Sequence, residues 1–220
     1  ASSWDGHTVG RALSDGVILG TPQGSGRFLK GLDGDFLSVA MDAPGRVLAA
    51  GDREGTVWCW DMKTHSELRR FAGGHQGPVA VLRFGPDGRR LVSGGWDGRV
   101  VVWEVATGRQ LAWFGHRDEV YAVSYSSDGR FIASGSWDRH VKVWDAQTGD
   151  LAADLTGHRS GVTAVDFSRD SAYLVSGDWD GGMRIWQVGD WKEAGILHDR
   201  PRSRIMALGF GTGGLLVSGH

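Results

Sequence analysis

Residues 115–145 read GHRDEVYAVSYSSDGRFIASGSWDRHVKVWD. Apolar residues alternate through Val120-Tyr121-Ala122-Val123-Ser124-Tyr125, the period of a strand with one buried face. Asp128-Gly129 is a hairpin-turn dipeptide. Phe131-Ile132-Ala133-Ser134 reads as a second strand and Val141-Lys142-Val143-Trp144 as a third. Thr148-Gly149 marks the turn into a fourth. The same order recurs on both sides. Upstream stand Gly74-His75, Phe84-Gly85-Pro86-Asp87-Gly88, Leu91-Val92-Ser93-Gly94-Gly95-Trp96-Asp97 and Val101-Val102-Trp103. Downstream stand Gly157-His158, Phe167-Ser168-Arg169-Asp170, Leu174-Val175-Ser176-Gly177-Asp178-Trp179-Asp180 and Ile185-Trp186. The acids at 97, 138 and 180 lie 41 and 42 residues apart. A four-stranded unit of that length cannot bury both faces alone, but radially stacked units bury each other.

The flanks carry weaker copies. Phe36 to Asp61 forms a further unit in which Ala50 stands where the others have Ser, Glu54 stands where they have Asp, and no Gly-His precedes. Ile205, Leu208, Phe210 and Leu215-Leu216-Val217-Ser218-Gly219 read as the first two strands of another. Ser3-Trp4-Asp5-Gly6 reads as the junction between second and third strands, so the chain begins and ends near one point of the repeat. Five units would average 44 residues in a chain of 220. A longer gap follows Asp5, and the extra stretch near 13–25 reads as a protruding hairpin or an irregular loop. Arg11 stands where the third-strand Trp should fall.

The Gly-His pairs and the strand ends Trp60-Asp61, Trp103-Glu104, Trp144-Asp145 and Trp186-Gln187 resemble the WD-repeat β-propeller family, most closely from Gly31 to Trp186. The resemblance implies an all-β fold, a β-propeller of four-stranded antiparallel blades filling 1–220 as one domain. Blade units are expected at 32–72, 73–114, 115–156 and 157–197, with a closing unit from 198–220 plus 1–31. Two readings stand for the ring: a closed five-bladed monomer, or part of a larger ring completed by further residues or by other copies as a homo-oligomer.

Composition narrows the function classes. The net charge is −2 and the pI about 6.5, which argues against a general nucleic-acid binder. A single cysteine, Cys59, rules out an intramolecular disulfide and most cysteine-based metal sites; lying between Trp58 and Trp60, it reads as a small buried apolar residue. No apolar run approaches the roughly 18 residues of a membrane helix. No targeting signal is visible, so the cytoplasm is the default expectation. The histidines outside the Gly-His pairs (7, 65, 140, 198, 220) show no metal spacing, and no glycine-rich loop opens a helix, so no cofactor is expected.

The resemblance also implies one hydrogen-bonded set per blade. The matching residues are His75, Ser93, Asp97 and Trp103; His116, Ser134, Asp138 and Trp144; and His158, Ser176, Asp180 and Trp186. A buried indole N–H needs an acceptor, a hydroxyl supplies one, and His relays to a carboxylate that would be costly unpaired. Three near-identical copies of Ser, His and Asp read as architecture, since a catalytic triad would be single. No enzyme is expected.

The residue before each anchor acid is Trp4, Arg53, Trp96, Trp137 or Trp179. The family places this position in the loop between strands two and three, on the face often used for partners. Indoles offer apolar area, one donor and a face that attracts cations. Two readings stand: the indoles pack inward between blades, or they form a partner-binding collar. Glu119, Tyr121, Asp118 and Asp35 fall near the same position, and the acids would suit a Lys- or Arg-bearing peptide. The leading expectation is a non-enzymatic scaffold binding a protein or peptide. The alternatives are a glycan-binding propeller, in which Trp stacks on sugars, and a truncated or engineered segment of purely structural role.

Overall fold

Four hairpin turns, one Pro-Gly and three Asp-Gly or Asp-Ser, and four Trp-ended strands organise the central part of the chain into four antiparallel sheets. The structure, a computed structural model, describes residues 35–197 and 204–210 with their side chains, and 198 and the strands at 2–4, 9–13, 16–20, 26–29 and 216–219 as backbone. The first sheet pairs β5 (Phe36–Met41), β6 (Val47–Asp52), β7 (Val57–Asp61) and β8 (Ser66–Phe71) in chain order. The next pairs β9 (Val79–Phe84), β10 (Arg90–Gly95), β11 (Arg99–Glu104) and β12 (Gln110–Gly115). The third holds β13 (Val120–Tyr125), β14 (Phe131–Ser136), β15 (Val141–Asp145) and β16 (Leu151–Leu155). The fourth holds β17 (Val162–Phe167), β18 (Tyr173–Asp178), β19 (Met183–Gln187) and β20 (Glu193–His198). Gly88 and Gly129 close two of the hairpins at φ 68° and 71°, the left-handed backbone that the Asp-Gly dipeptide supplies cheaply.

At the N-terminus, β1 (Ser2–Trp4), β2 (Val9–Leu13), β3 (Gly16–Gly20) and β4 (Gly26–Leu29) pair in chain order, and at the other end β21 (Ala207–Phe210) pairs with β22 (Leu216–Gly219). Of the closing unit expected from 198–220 plus 1–31, the strands at 2–29 pair among themselves and those at 207–219 pair with each other. The stretch near 13–25 belongs to the first of these sheets. It contains β3, which pairs with β2 from Val9↔Gly20 to Leu13↔Gly16, so 2–29 hold four strands of their own. The side chains of Trp4 and Arg11 lie outside the described residues.

The chain divides into two units, Ala1–Phe114 and Gly115–His220. In the first, Val57, Cys59 and Phe71 of one sheet pack with Val79, Leu82, Leu91, Val101 and Trp103 of the next. Phe36, Leu48 and Trp60 pack on the opposite face of the β5–β8 sheet. In the second, Val141, Val143 and Leu155 pack with Val162, Val165, Phe167, Leu174 and Trp186. Each inward stripe follows the period-two alternation of its strand.

Candidate functional site

Strand one of each of the four central sheets carries a β-bulge at its start, and the bulge builds the surface. Val120 pairs with Ser136 and Ala122 with Gly135, leaving Tyr121 as the extra residue. The same shift leaves Leu37, Ala80 and Thr163 extra in β5, β9 and β17. A bulge re-aims its extra side chain and sharpens the local twist. The loop between strands two and three then docks on the residue preceding strand one. Arg53 N donates to Asp35 O at 3.1 Å, Trp96 N to Pro78 O at 3.0 Å, Trp137 N to Glu119 O at 2.9 Å, and Trp179 N to Gly161 O at 2.9 Å.

The side chains on these loops differ. Trp96 and Trp137 are 39% and 38% exposed, large values for indoles, and Trp179 is half-buried. In the second unit the Trp137 ring meets Trp179 edge-on at 5.4 Å and 74°, and Tyr121 at 5.7 Å. The Arg204 guanidinium stands 4.1 Å from the Trp179 ring centre. Trp137 lies flat on Gly161, where a Cβ would fall inside the indole. Arg53 forms an exposed ion pair with Asp35, so that acid is already matched within its own loop pair. The hydrogen bond that the protonated Glu119 donates to Asp118 pushes the Glu119 carboxyl up, and the Asp118 charge adds to it. Partial burial and then the charges of Glu119 and Asp118 push the Tyr121 hydroxyl up.

Behind this surface lie the hydrogen-bonded sets. In the sheet of β9–β12, Trp103 Nε1 donates to Ser93 Oγ at 2.8 Å, Ser93 Oγ and His75 Nε2 are 2.7 Å apart, and His75 Nδ1 meets Asp97 Oδ1 at 3.0 Å. In the next sheet, Trp144, Ser134, His116 and Asp138 repeat the order at 3.0, 2.8 and 3.0 Å. An ionised carboxylate only accepts, so Nδ1 carries the proton; a neutral ring then accepts from Ser, and Ser accepts from Trp. Each donor finds an acceptor. Ser93, Ser134 and Ser176 are all 0% exposed, so no substrate reaches these hydroxyls. A third-strand cation holds the carbonyl before each His: Arg99 Nη1 on Gly74 O at 3.2 Å, Lys142 Nζ on Gly115 O at 2.8 Å, and Arg184 Nη2 on Gly157 O at 2.7 Å.

The fourth sheet departs from the expected set. Trp186 donates to Ser176 at 2.8 Å and Ser176 meets His158 at 2.7 Å, but His158 Nδ1 meets Asp178 Oδ2 at 2.9 Å, not Asp180. Asp178 Oδ1 also accepts from the Asp180 and Gly182 amides at 3.1 and 2.7 Å. The reason is competition between two acids for one set of donors: Asp178 accepts from His158 and two turn amides, as Asp97 accepts from His75 and the Arg99 amide. Two carboxylates do not share a buried slot readily. Asp178, last in its strand, is already enclosed, and Asp180 is left exposed. The sheet of β5–β8 follows the same rule with Asp52, whose Oδ2 accepts from Trp58 Nε1 at 2.7 Å, an indole doing the work of the absent His. Trp58 was not singled out in the sequence; Asp52, aligned with Asp178, was the signal available.

Burial pushes the carboxyls of Asp97, Asp138 and Asp178 up, but the histidine hydrogen bond and the turn amides outweigh it and hold all three below the usual range. A carboxyl lowered in the folded state stabilises the fold above its unfolded value, near 3.9, and that contribution is lost as pH falls through the folded value. The urea midpoint should therefore fall on acidification from about pH 5 to about pH 2. Asp97→Asn with Asp138→Asn should make that dependence shallower; an unchanged slope would show that these carboxylates do not govern it.

Burial alone pushes the Cys59 thiol up to about 12, consistent with an unreactive core residue. Among the described residues no cluster of three or more His, Cys, Asp or Glu could hold a metal ion, and no helix is long and apolar enough to cross a membrane.

The family model described as "WD domain, G-beta repeat" matches residues 66–104, 108–145 and 149–187. The guanine nucleotide-binding protein subunit beta of Oryza sativa subsp. indica is 30% identical over 109 residues, 49% of this chain and 26% of that protein. The subunit beta-2 protein of Nicotiana tabacum is 40% identical over 87 residues, 39% of this chain and 23% of that protein. The chain thus spans about a quarter of the length of these relatives. A chain of a solved structure entitled "Crystal Structure of Mitotic Checkpoint Complex" superposes with a TM-score of 0.92 at 26% identity, over 100% of this chain and 69% of that one.

Proposed function

The chain belongs to the WD-repeat β-propeller family, and from that premise we propose that it is a non-enzymatic interaction scaffold that binds a peptide or protein through the loops carrying Trp96, Trp137 and Trp179. The observation that carries this reading is the exposure of two indoles at one repeated position, 39% for Trp96 and 38% for Trp137. Trp is among the residues most enriched in binding hot spots. A buried core has no use for an indole left more than a third in water. The relatives point the same way: the names of the plant proteins and of the solved complex describe a subunit and an assembly. The Ser-His-Asp sets argue against hydrolysis, because their hydroxyls are sealed.

Alanine at Trp96, Trp137 and Trp179 together should abolish partner binding, at least tenfold in Kd, since single hot-spot residues carry about 2 kcal/mol or more. The far-ultraviolet circular dichroism and the melting temperature should stay close to those of the parent. A triple variant that unfolds would assign the indoles to packing, and one that binds normally would remove the surface from the function.

A further inference from the structure

The second unit shows what kind of group its aromatic surface accepts. Trp179 already carries a guanidinium, that of Arg204, 4.1 Å from its ring centre. Trp137 stands against Trp179 at 5.4 Å and against Tyr121 at 5.7 Å, is 38% exposed, and among the described residues has no cation over it. Gly161 fixes its pose, because the indole rests where a Cβ would be. Asp118 and Glu119 sit on the loop whose carbonyl holds the Trp137 amide, at 2.9 Å. Among the described residues neither carboxylate has an ion-pair partner, in contrast to Asp35, which Arg53 matches. Instead the two lean on each other, and both charges reach Tyr121.

We propose that Tyr121 and Trp137, with the carboxylates of Asp118 and Glu119 beside them, seat an arginine side chain of the partner. A guanidinium stacks on an indole face and offers a planar fork of donors that two carboxylate oxygens accept together. It relieves the repulsion between the neighbouring acids. The aromatic rings and the acids are each half of a receptor for this one group. Arg204 on Trp179 is the same pairing made within the chain. The inference rests on the proposed binding role of the Trp loops and narrows it to one side-chain chemistry.

The test is a phage library of random twelve-residue peptides, panned on the full chain and counter-screened on Trp137→Ala. Binders that depend on Trp137 should be enriched in arginine. A synthetic binder with that arginine replaced by citrulline, which keeps the shape and removes the charge, should lose about tenfold in Kd. Asp118→Asn with Glu119→Gln should weaken the arginine peptide about tenfold and the citrulline peptide less than twofold, at an unchanged melting temperature. Trp137-dependent binders without arginine enrichment, with lysine favoured equally, or indifferent to the acid pair would overturn the arginine seat while leaving the Trp loops as a binding surface. A library with no Trp137-dependent binder would overturn both.

Discussion

Asp97→Ala or Asp138→Ala is expected to lower the unfolding free energy by about 3 kcal/mol, and Asp178→Ala by only about 1 kcal/mol. The three acids meet equivalent histidines, so the contrast needs a cause. Removing Asp97 strands the His75 ring N–H and the Gln76 and Arg99 amides that it accepts from. Removing Asp138 strands His116 and the Arg117 and His140 amides in the same way. A buried donor left without a partner costs about 1–3 kcal/mol, more when the lost acceptor is charged. Neither sheet holds a second acid in reach: the competing positions are Gly95 and Ser136. In the fourth sheet Asp180 stands where Asp97 and Asp138 stand, so the slot vacated by Asp178 has a ready occupant. Asp180→Ala alone should change stability by less than about 0.5 kcal/mol, the usual range for an exposed substitution. Alanine at both positions should cost about 3 kcal/mol, far above the sum of the singles. Urea midpoints of the parent, the two single variants at 178 and 180 and their double give the coupling directly. Additivity of the two singles would show that Asp180 does not back up its neighbour.

This pair also marks how far the sequence could be read. The repeat placed strands two and three of the central sheets, because the Leu-Val-Ser-Gly and Val-x-Val-Trp patterns recur at one spacing, and pairing Ile132 with Trp144 and Ser134 with Lys142 puts the indole on the serine's face. It also placed the His, Ser and Trp members of each set. The acid was ambiguous because Asp178-Trp179-Asp180 offers two carboxylates whose spacing serves one turn equally well. Spacing does not report which of them is enclosed. Trp58 was hidden for a related reason: its neighbour Trp60 matches the repeat, and a second indole beside it reads as more apolar core. The bulge that leaves Tyr121 extra in β13 is invisible in the alternation, which runs unbroken through it. The N-terminal strands show the converse limit. Arithmetic on the repeat length allowed a blade shared between the chain ends as well as a ring completed by further residues or copies, and it did not foresee β3, which pairs with β2 inside the extra stretch.

A methyl group at Gly135 should cost about 2 kcal/mol, and should cost almost nothing once Val162 has been cut to alanine. Each second strand carries a glycine at this place in the repeat, and its job is proximity. A Cβ on Gly135 would lie 2.6 Å from Val162 Cγ1 and 3.2 Å from Val165 Cγ1, both in the neighbouring sheet. Gly51 and Gly177 meet Val79 and Ile205 in the same way, with Cγ atoms 2.5 and 2.6 Å from the added carbon. Carbon atoms do not approach so closely, so the sheets would have to part or the valine leave its rotamer, at about 1–3 kcal/mol. Val162→Ala alone should also cost about 2 kcal/mol, through lost burial and the cavity left among Val141, Val143 and Val165. Combined, the new methyl enters the space that the old ones vacated, so Gly135→Ala with Val162→Ala should be about as stable as Val162→Ala by itself. The cycle then reads a coupling of about 2 kcal/mol, within the range known for residues in contact. Costs that simply add would mean that the glycine is kept for backbone conformation, not for the approach of the next sheet. Its backbone is not in the left-handed region that would demand glycine, which leaves proximity as the physical cause.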